Sequence, residues 1–332
     1  MLDGRSAEAQ SSADWAVFKQ RFVTSDGRVV DTGNNGVSHS EGQSYGMLFA
    51  VFNDDQATFD SLKNWTSRVL QHRADALHSW RYVPNAANHV PDTNNATDGD
   101  LGIALALSRA ATRWGRPEDT TAAVAIAQDI RRYLIVNAAR RLVLLPARLG
   151  FASRAAVTVN LSYYNFVAFT EMARIDPSPL WMLLGADGLS LIAEARFGRW
   201  QLPPDWLTIS STGVVGISPR WAPLSSFDAI RVPLNLVWNR SLSAAVSGGF
   251  GAFWTTAAAY QPAWANLVTD QVSPYPAPSG LVAVRDITLL SPGYAPNLPS
   301  VADAPDYYSA SLILLSQLAW RESQSAGTET SQ

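Results

Sequence analysis

Asn94-Asn95-Ala96-Thr97-Asp98-Gly99-Asp100-Leu101-Gly102-Ile103-Ala104-Leu105-Ala106-Leu107-Ser108-Arg109-Ala110-Ala111-Thr112-Arg113-Trp114 is the stretch whose reading decides the fold. A polar, glycine-containing opening gives way to apolar residues at Ile103, Leu107, Ala110, Ala111 and Trp114, the three- and four-residue spacing of an amphipathic helix. Thr97 is the expected N-cap, and Asp98 and Asp100 fall in the first turn, where their charge complements the helix dipole. Two aspartates flanking a glycine could equally coordinate a hard cation, but such a site takes several more oxygen ligands. The calcium-loop pattern does not fit, because no glutamate stands at its closing position.

The same period extends to both sides. Gln56–Leu70 places Phe59, Leu62, Trp65 and Val69 on one side, and residues 122–136 do so with Ile126, Ile130 and Leu134. Further helical stretches are expected at 161–174, 179–196, 227–246, 252–268, 279–290 and 306–320, about ten helices in all. Pro and Gly clusters at 115–117, 176–179, 203–204 and 274–280 separate them. Strand-like runs such as 141–145 occur without the strand-helix alternation of a parallel sheet, so the expected class is all-α with short strands in loops. No linker or repeat divides the chain. The organisation read from it is an N-terminal extension (1–14), one domain (15–321) and a polar tail (322–332).

Composition removes several function classes. Of 332 residues 47% are hydrophobic and 16% charged, ample material for a core, and the net charge of -3 offers no field to attract nucleic acid or anionic lipid. There is no cysteine and there are only four histidines, so thiolate metal sites and disulfides are excluded and no metal or other cofactor is expected. No apolar run has the length of a membrane span or of a signal-peptide core, and no membrane insertion is expected. Twelve tryptophans, ten tyrosines and twelve phenylalanines suit stacking on sugar rings, although most would fill helix interfaces.

Three acidic clusters could carry chemistry. Glu41, in Ser40-Glu41-Gly42-Gln43-Ser44-Tyr45-Gly46-Met47, sits at the entrance to a helix, where it could simply complement the dipole. Asp98 lies in the cluster already described. Asp228, in Phe227-Asp228-Ala229-Ile230-Arg231, would fall in the first turn of a helix beginning near Ser226, with Arg231 three residues on as an intrahelical partner. Glycosidic cleavage needs one carboxylic acid to protonate the leaving oxygen and one carboxylate to activate water or attack carbon, so separate acidic clusters are its minimum kit.

These motifs, taken together, resemble glycoside hydrolase family eight. The run from Ala96 to Asp100 with Ile103, Ala104, Ala106, Leu107, Ala110 and Trp114 is similar to the family signature, except that Ser108 stands where an aliphatic residue or glycine is usual. The Glu41 segment resembles the acid-bearing motif and the Asp228 segment the base-bearing one, in the family's order, with further similarity at 15–31, Trp80, 145–146, 160–163, 204–206 and 306–314. Within the family the likeness is to the periplasmic endoglucanases (cellulases) that accompany bacterial cellulose synthases.

The resemblance implies an (α/α)6 barrel of six inner and six outer helices, with a sugar-binding cleft across one end. It implies an inverting endo-β-1,4-glucanase acting on cellulose or a related β-glucan, with Glu41 as general acid and Asp228 as general base. Asp98 would hold the distorted sugar, Arg231 would pair with the carboxylates, Tyr163 would bind near the same sugar, and Trp80 and Phe227 would be stacking platforms. Leu161 stands where proline is frequent and Phe227 where tyrosine is common. Inversion requires the Glu41 and Asp228 carboxyls to lie roughly 6.5–9.5 Å apart, and the acid requires a pKa raised by burial or by neighbouring carboxylates. Also implied are a periplasmic or secreted location, a monomer, and functional association with a cellulose synthase system. The rival readings are a chitosanase, xylanase or mixed-linkage glucanase on the same fold and, from another class, a catalytically silent carbohydrate-binding protein.

Overall fold

The computed structural model describes residues 4–291 and 293–325. Eleven α-helices occur among them: α1 (Gly4–Phe22), α2 (Ser40–Phe52), α3 (Gln56–Leu70), α4 (Thr97–Trp114), α5 (Pro117–Tyr133), α6 (Phe166–Ile175), α7 (Pro179–Glu194), α8 (Arg231–Trp238), α9 (Ala244–Thr256), α10 (Ser279–Thr288) and α11 (Tyr307–Ser325). Helices α2, α4, α8 and α11 are buried along nearly their whole length, whereas α3, α5, α7 and α9 bury a single stripe. A helix enclosed on all sides lies inside and a one-sided helix lies outside. Contacts run from α2 to α4, α6 and α8, then through α10 and α11 back to α2. This is the (α/α)6 barrel architecture.

Short antiparallel strands decorate the loops, and three of the four small sheets among the described residues lead into a site segment. Strands β1 (Ser38–His39) and β2 (Arg81–Tyr82) pair His39 with Arg81, which sets the start of α2 beside Trp80. Strands β3 (Ile135–Ala138) and β4 (Arg141–Leu144) form a hairpin. The sheet of β5 (Ala156–Val159), β6 (Leu207–Ser210) and β7 (Val215–Ile217) leads into the 3-10 turn Leu161–Tyr163. Strand β8 (Leu224–Ser225), paired with β9 (Ala265–Asn266), leads to Asp228.

Several local expectations need correcting. Thr97 is not the N-cap of α4: its hydroxyl donates to the Leu145 carbonyl at 2.6 Å, and Ala96 occupies the cap without a side-chain bond. The stretch 227–246 is not one helix, because α8 starts only at Arg231 and the chain turns at Arg240, whose φ of 56° lies in the left-handed region. The stretch 252–268 is likewise mostly loop, since α9 runs from Ala244 to Thr256, and 161–163 is a separate 3-10 turn ahead of α6. Helix α1 takes in residues 4–14 of the segment read as an extension, and its Asp14 accepts from the Val301 amide (2.8 Å) and Gln317 Nε2 (2.7 Å). At the other end α11 continues to Ser325, while the rest of the polar tail lies outside the described residues.

Candidate active site

The N-terminal ends of α2, α4, α8 and α11 bring one guanidinium and three carboxylates together. Arg231, the first residue of α8, is the hub. Its Nη1 donates to Glu41 Oε1, to Asp98 Oδ2 at 3.0 Å and to the Tyr45 hydroxyl at 2.9 Å. Its Nη2 donates to Asp228 Oδ1 at 2.9 Å and to Ser162 Oγ at 3.0 Å. Tyr45 in turn donates to Glu41 Oε1 at 2.7 Å, one helical turn away on α2. Ser162 is held from both sides: its hydroxyl donates to Asn160 Oδ1 at 2.6 Å, and its carbonyl accepts from Asn235 Nδ2 at 3.0 Å.

Close approach of α2 and α4 makes this possible. A Cβ added to Gly99 would lie 2.8 Å from the Glu41 backbone nitrogen, and one added to Gly102 would lie 2.7 Å from the Ser44 Cβ. Only glycine lets the first turns touch and Asp98 reach the same guanidinium nitrogen as Glu41. Asp100, two residues from Asp98, turns away. It accepts from the His78 amide (2.8 Å) and from Asn95 Nδ2 (3.0 Å) and meets His78 Nδ1 at 3.0 Å, so the two aspartates do not converge on one cation.

The side chain of Arg231 is only 6% exposed, against 20% for Glu41, 11% for Asp98 and 31% for Asp228, so a ligand meets the acids and not the guanidinium. Three ionised carboxylates on one guanidinium would leave a surplus of two negative charges in a partly dry pocket. The site therefore favours protons: burial, reinforced by the Glu41 charge, pushes Asp98 up to about 7. Burial also raises Asp228 against the pull of Arg231. Tyr45, Tyr163 and Tyr308 are held well above the ordinary phenol range by burial and remain donors.

Aromatic rings flank the carboxylates. Trp80 stacks on His39 (5.9 Å between centroids, 14° between planes) and donates to Asp92 at 2.9 Å. Phe227 is 38% exposed and meets Tyr308 edge-on, and the Tyr308 hydroxyl donates to the Phe227 carbonyl at 2.5 Å. Tyr163 lies against the Arg231 guanidinium at 5.7 Å, so Leu161 in place of proline leaves that ring beside the hub. The Ser108 departure lies away from the site: its hydroxyl bonds Glu171 on α6 and accepts from Arg174 at 3.0 Å.

Thus all seven residues singled out from the sequence, Glu41, Asp98, Asp228, Trp80, Tyr163, Phe227 and Arg231, gather at one end of the barrel. The sequence reading gave no role to Tyr45, Ser162, Asp205 or Tyr308. Tyr45 carries a local signal, its i, i+4 spacing from Glu41. The other three become neighbours only through loops from distant parts of the chain. The parallel stack of Phe151, Trp206 and Trp221, with the latter two rings 4.3 Å apart, was not foreseen either.

Carboxylates sharing an arginine between aromatic rings, at one end of an (α/α)6 barrel, are the equipment of a glycoside hydrolase. The chain belongs to that class and, within it, to glycosyl hydrolases family 8, whose family model matches residues 4–322. It is 44% identical over 310 residues to a probable endoglucanase of Novacetimonas hansenii, covering 93% of this chain and 90% of the relative. It is 38% identical to an endoglucanase of Cellulomonas uda, covering 86% and 79%. The structure superposes on an endo-β-1,4-glucanase from Acetobacter xylinum with a TM-score of 0.91 at 43% identity, covering 96% of this chain and 99% of that one.

Proposed function

We propose that this protein is an endo-β-1,4-glucanase that cleaves cellulose or a related β-glucan with inversion, using Glu41 as proton donor and Asp228 as base. The observation that carries the reading is the shared Arg231, which holds both carboxylates and Asp98 at one open end of the barrel. Both donors to Glu41 converge on Oε1, which leaves Oε2 to deliver a proton to the leaving oxygen. Asp228 gives Oδ1 to Arg231 and is the most exposed of the three acids, so its second oxygen faces the attacking water. Asp98 grips the sugar at the cleavage point, Tyr163 contacts it, and Trp80 and Phe227 stack on neighbouring rings. The endoglucanases among its relatives support the choice of a β-1,4-glucan. Such a polymer lies outside the cytoplasm, so the protein works as a monomer in the periplasm or beyond it, beside a cellulose synthase system.

Proton NMR of the anomeric signals during digestion of soluble cello-oligosaccharides tests this reading. The α-anomer appears first, and Glu41→Gln and Asp228→Asn each lower kcat about 10³-fold. First appearance of the β-anomer, or near-native rates in either variant, would overturn it. No cleavage of cello-oligosaccharides but cleavage of chitosan or xylan oligomers would reassign the substrate.

A further inference from the structure

We propose that Asp205 is the positioning residue for the general base: it fixes the turn that carries Asp228. The inference rests on the reading of Asp228 as base. Asp205 is buried (8% exposed) and lies outside the Arg231 cluster. Its Oδ1 accepts from the backbone amides of Ser226 (2.8 Å) and Ala229 (2.9 Å), and its Oδ2 accepts from the Ser226 hydroxyl. Asp228 stands between those two amides in the chain.

The local bonding explains why the turn needs an outside partner. Helix α8 begins at Arg231, and the approach makes the backbone bonds Ile230 N to Ser226 O (3.0 Å), Arg231 N to Asp228 O (3.1 Å) and Val232 N to Ala229 O (3.0 Å), which leave the amides of Ser226 and Ala229 unused. The amides of Ser226 and Ala229 would otherwise be without acceptors, as at any helix start. Asp205 caps them from 21 and 24 residues away, as an N-cap residue does locally.

Asp205 is itself firmly set. Its amide donates to the Leu224 carbonyl at 2.8 Å, Pro203 and Pro204 restrict the chain before it, and Trp206 after it stacks on Trp221. The Asp228 carboxylate is thus located on one side by Arg231 and on the other, through the backbone, by Asp205. A reacting group misplaced by about 1 Å loses about 10²-fold in rate, while substrate contacts elsewhere are untouched.

The test is a double-mutant cycle on soluble cello-oligosaccharides. Asp205→Ala removes the acceptor, and Asp205→Glu retains a buried carboxylate but moves it by one methylene, so that a foldable variant is in hand. We expect kcat to fall about 100-fold in Asp205→Ala and about 10-fold in Asp205→Glu, with KM within about threefold of native. Combined with Asp228→Asn, neither change should slow the residual reaction further, because both act through the same group. A native kcat in the folded variants, or losses that multiply in the Asp228→Asn background, would overturn the proposal. Native kcat in Asp228→Asn alone would instead overturn the reading of the base, whatever Asp205 does.

Discussion

The two ends of the barrel use the same residue types to opposite effect. At the N-terminal ends of α2, α4, α8 and α11, one arginine serves three carboxylates. At the other end, where these helices finish, arginines and acids pair off. Arg109 holds Glu322 through two bonds (2.7 and 2.8 Å), Glu322 also accepts from Trp238, Arg174 holds Glu171, and Arg113 holds Asp54. Arg231 and Trp238 open and close the same helix, seven residues or about 10 Å apart. Helix N-termini tolerate negative charge, so the surplus of carboxylate sits at the end where the dipoles favour it. Balance at one end secures the fold, and surplus carboxylate at the other stores the protonation chemistry.

Removing the hub should have the largest effect. Arg231→Met leaves three partly buried acids without their buried counter-charge, and breaking a buried pair costs roughly 3–5 kcal/mol. The remaining acids take up protons, the proposed base Asp228 among them. We expect kcat to fall about 10³-fold or more, and the melting temperature to drop further at pH 8 than at pH 5. An active variant would remove the distinction between the two ends.

A smaller effect is the pH dependence of stability. Asp98 and Asp205 both titrate near 7 in the folded protein, the former through burial and Glu41, the latter through burial and Asp228. A carboxyl raised above its unfolded value of about 3.9 contributes stability that is complete below that pH and is lost as pH rises through about 7. The melting temperature should therefore fall between pH 5 and pH 8, and Asp98→Asn should flatten the curve and exceed the native protein at pH 8. Scanning calorimetry across that range decides the matter, and a rising native curve would contradict it.

The smallest effect belongs to the balanced end. Arg109→Met leaves Glu322 with its Trp238 bond and room to meet water, so chemical denaturation should show a loss of only about 1 kcal/mol. Native kcat is expected. A loss of activity there would mean that the far end communicates with the site through α8.

Much of this was legible in the chain. The helical period of α3, α4 and α5 follows from apolar residues three and four apart, and Glu41 in a first turn follows from a polar, glycine-containing segment running into an apolar one. What was misread has a common cause. Thr97 has the side chain of an N-cap, but the Leu145 carbonyl takes its hydroxyl. The helix expected from near Ser226 starts only at Arg231, and the amides of Ser226 and Ala229 before it find their acceptor in the distant Asp205. Helix α1 is not announced by its own residues, since the partners of its polar Asp14 lie near residues 300 and 317.

The sequence by itself determined the helical class, the acidic clusters and, through their likeness to a family, the residues that meet at the site. Periodicity and motif are properties of neighbours in the chain, and a reader needs nothing else to find them. Only the tertiary structure decided that Arg231 is shared among three acids, that Gly99 permits α2 and α4 to touch, and that Asp205 fixes the turn of Asp228. Each of these depends on distances of a few ångströms between segments tens to hundreds of residues apart. Coulomb energy and hydrogen bonding fall away over that short range, so the chemistry exists only once packing has closed it.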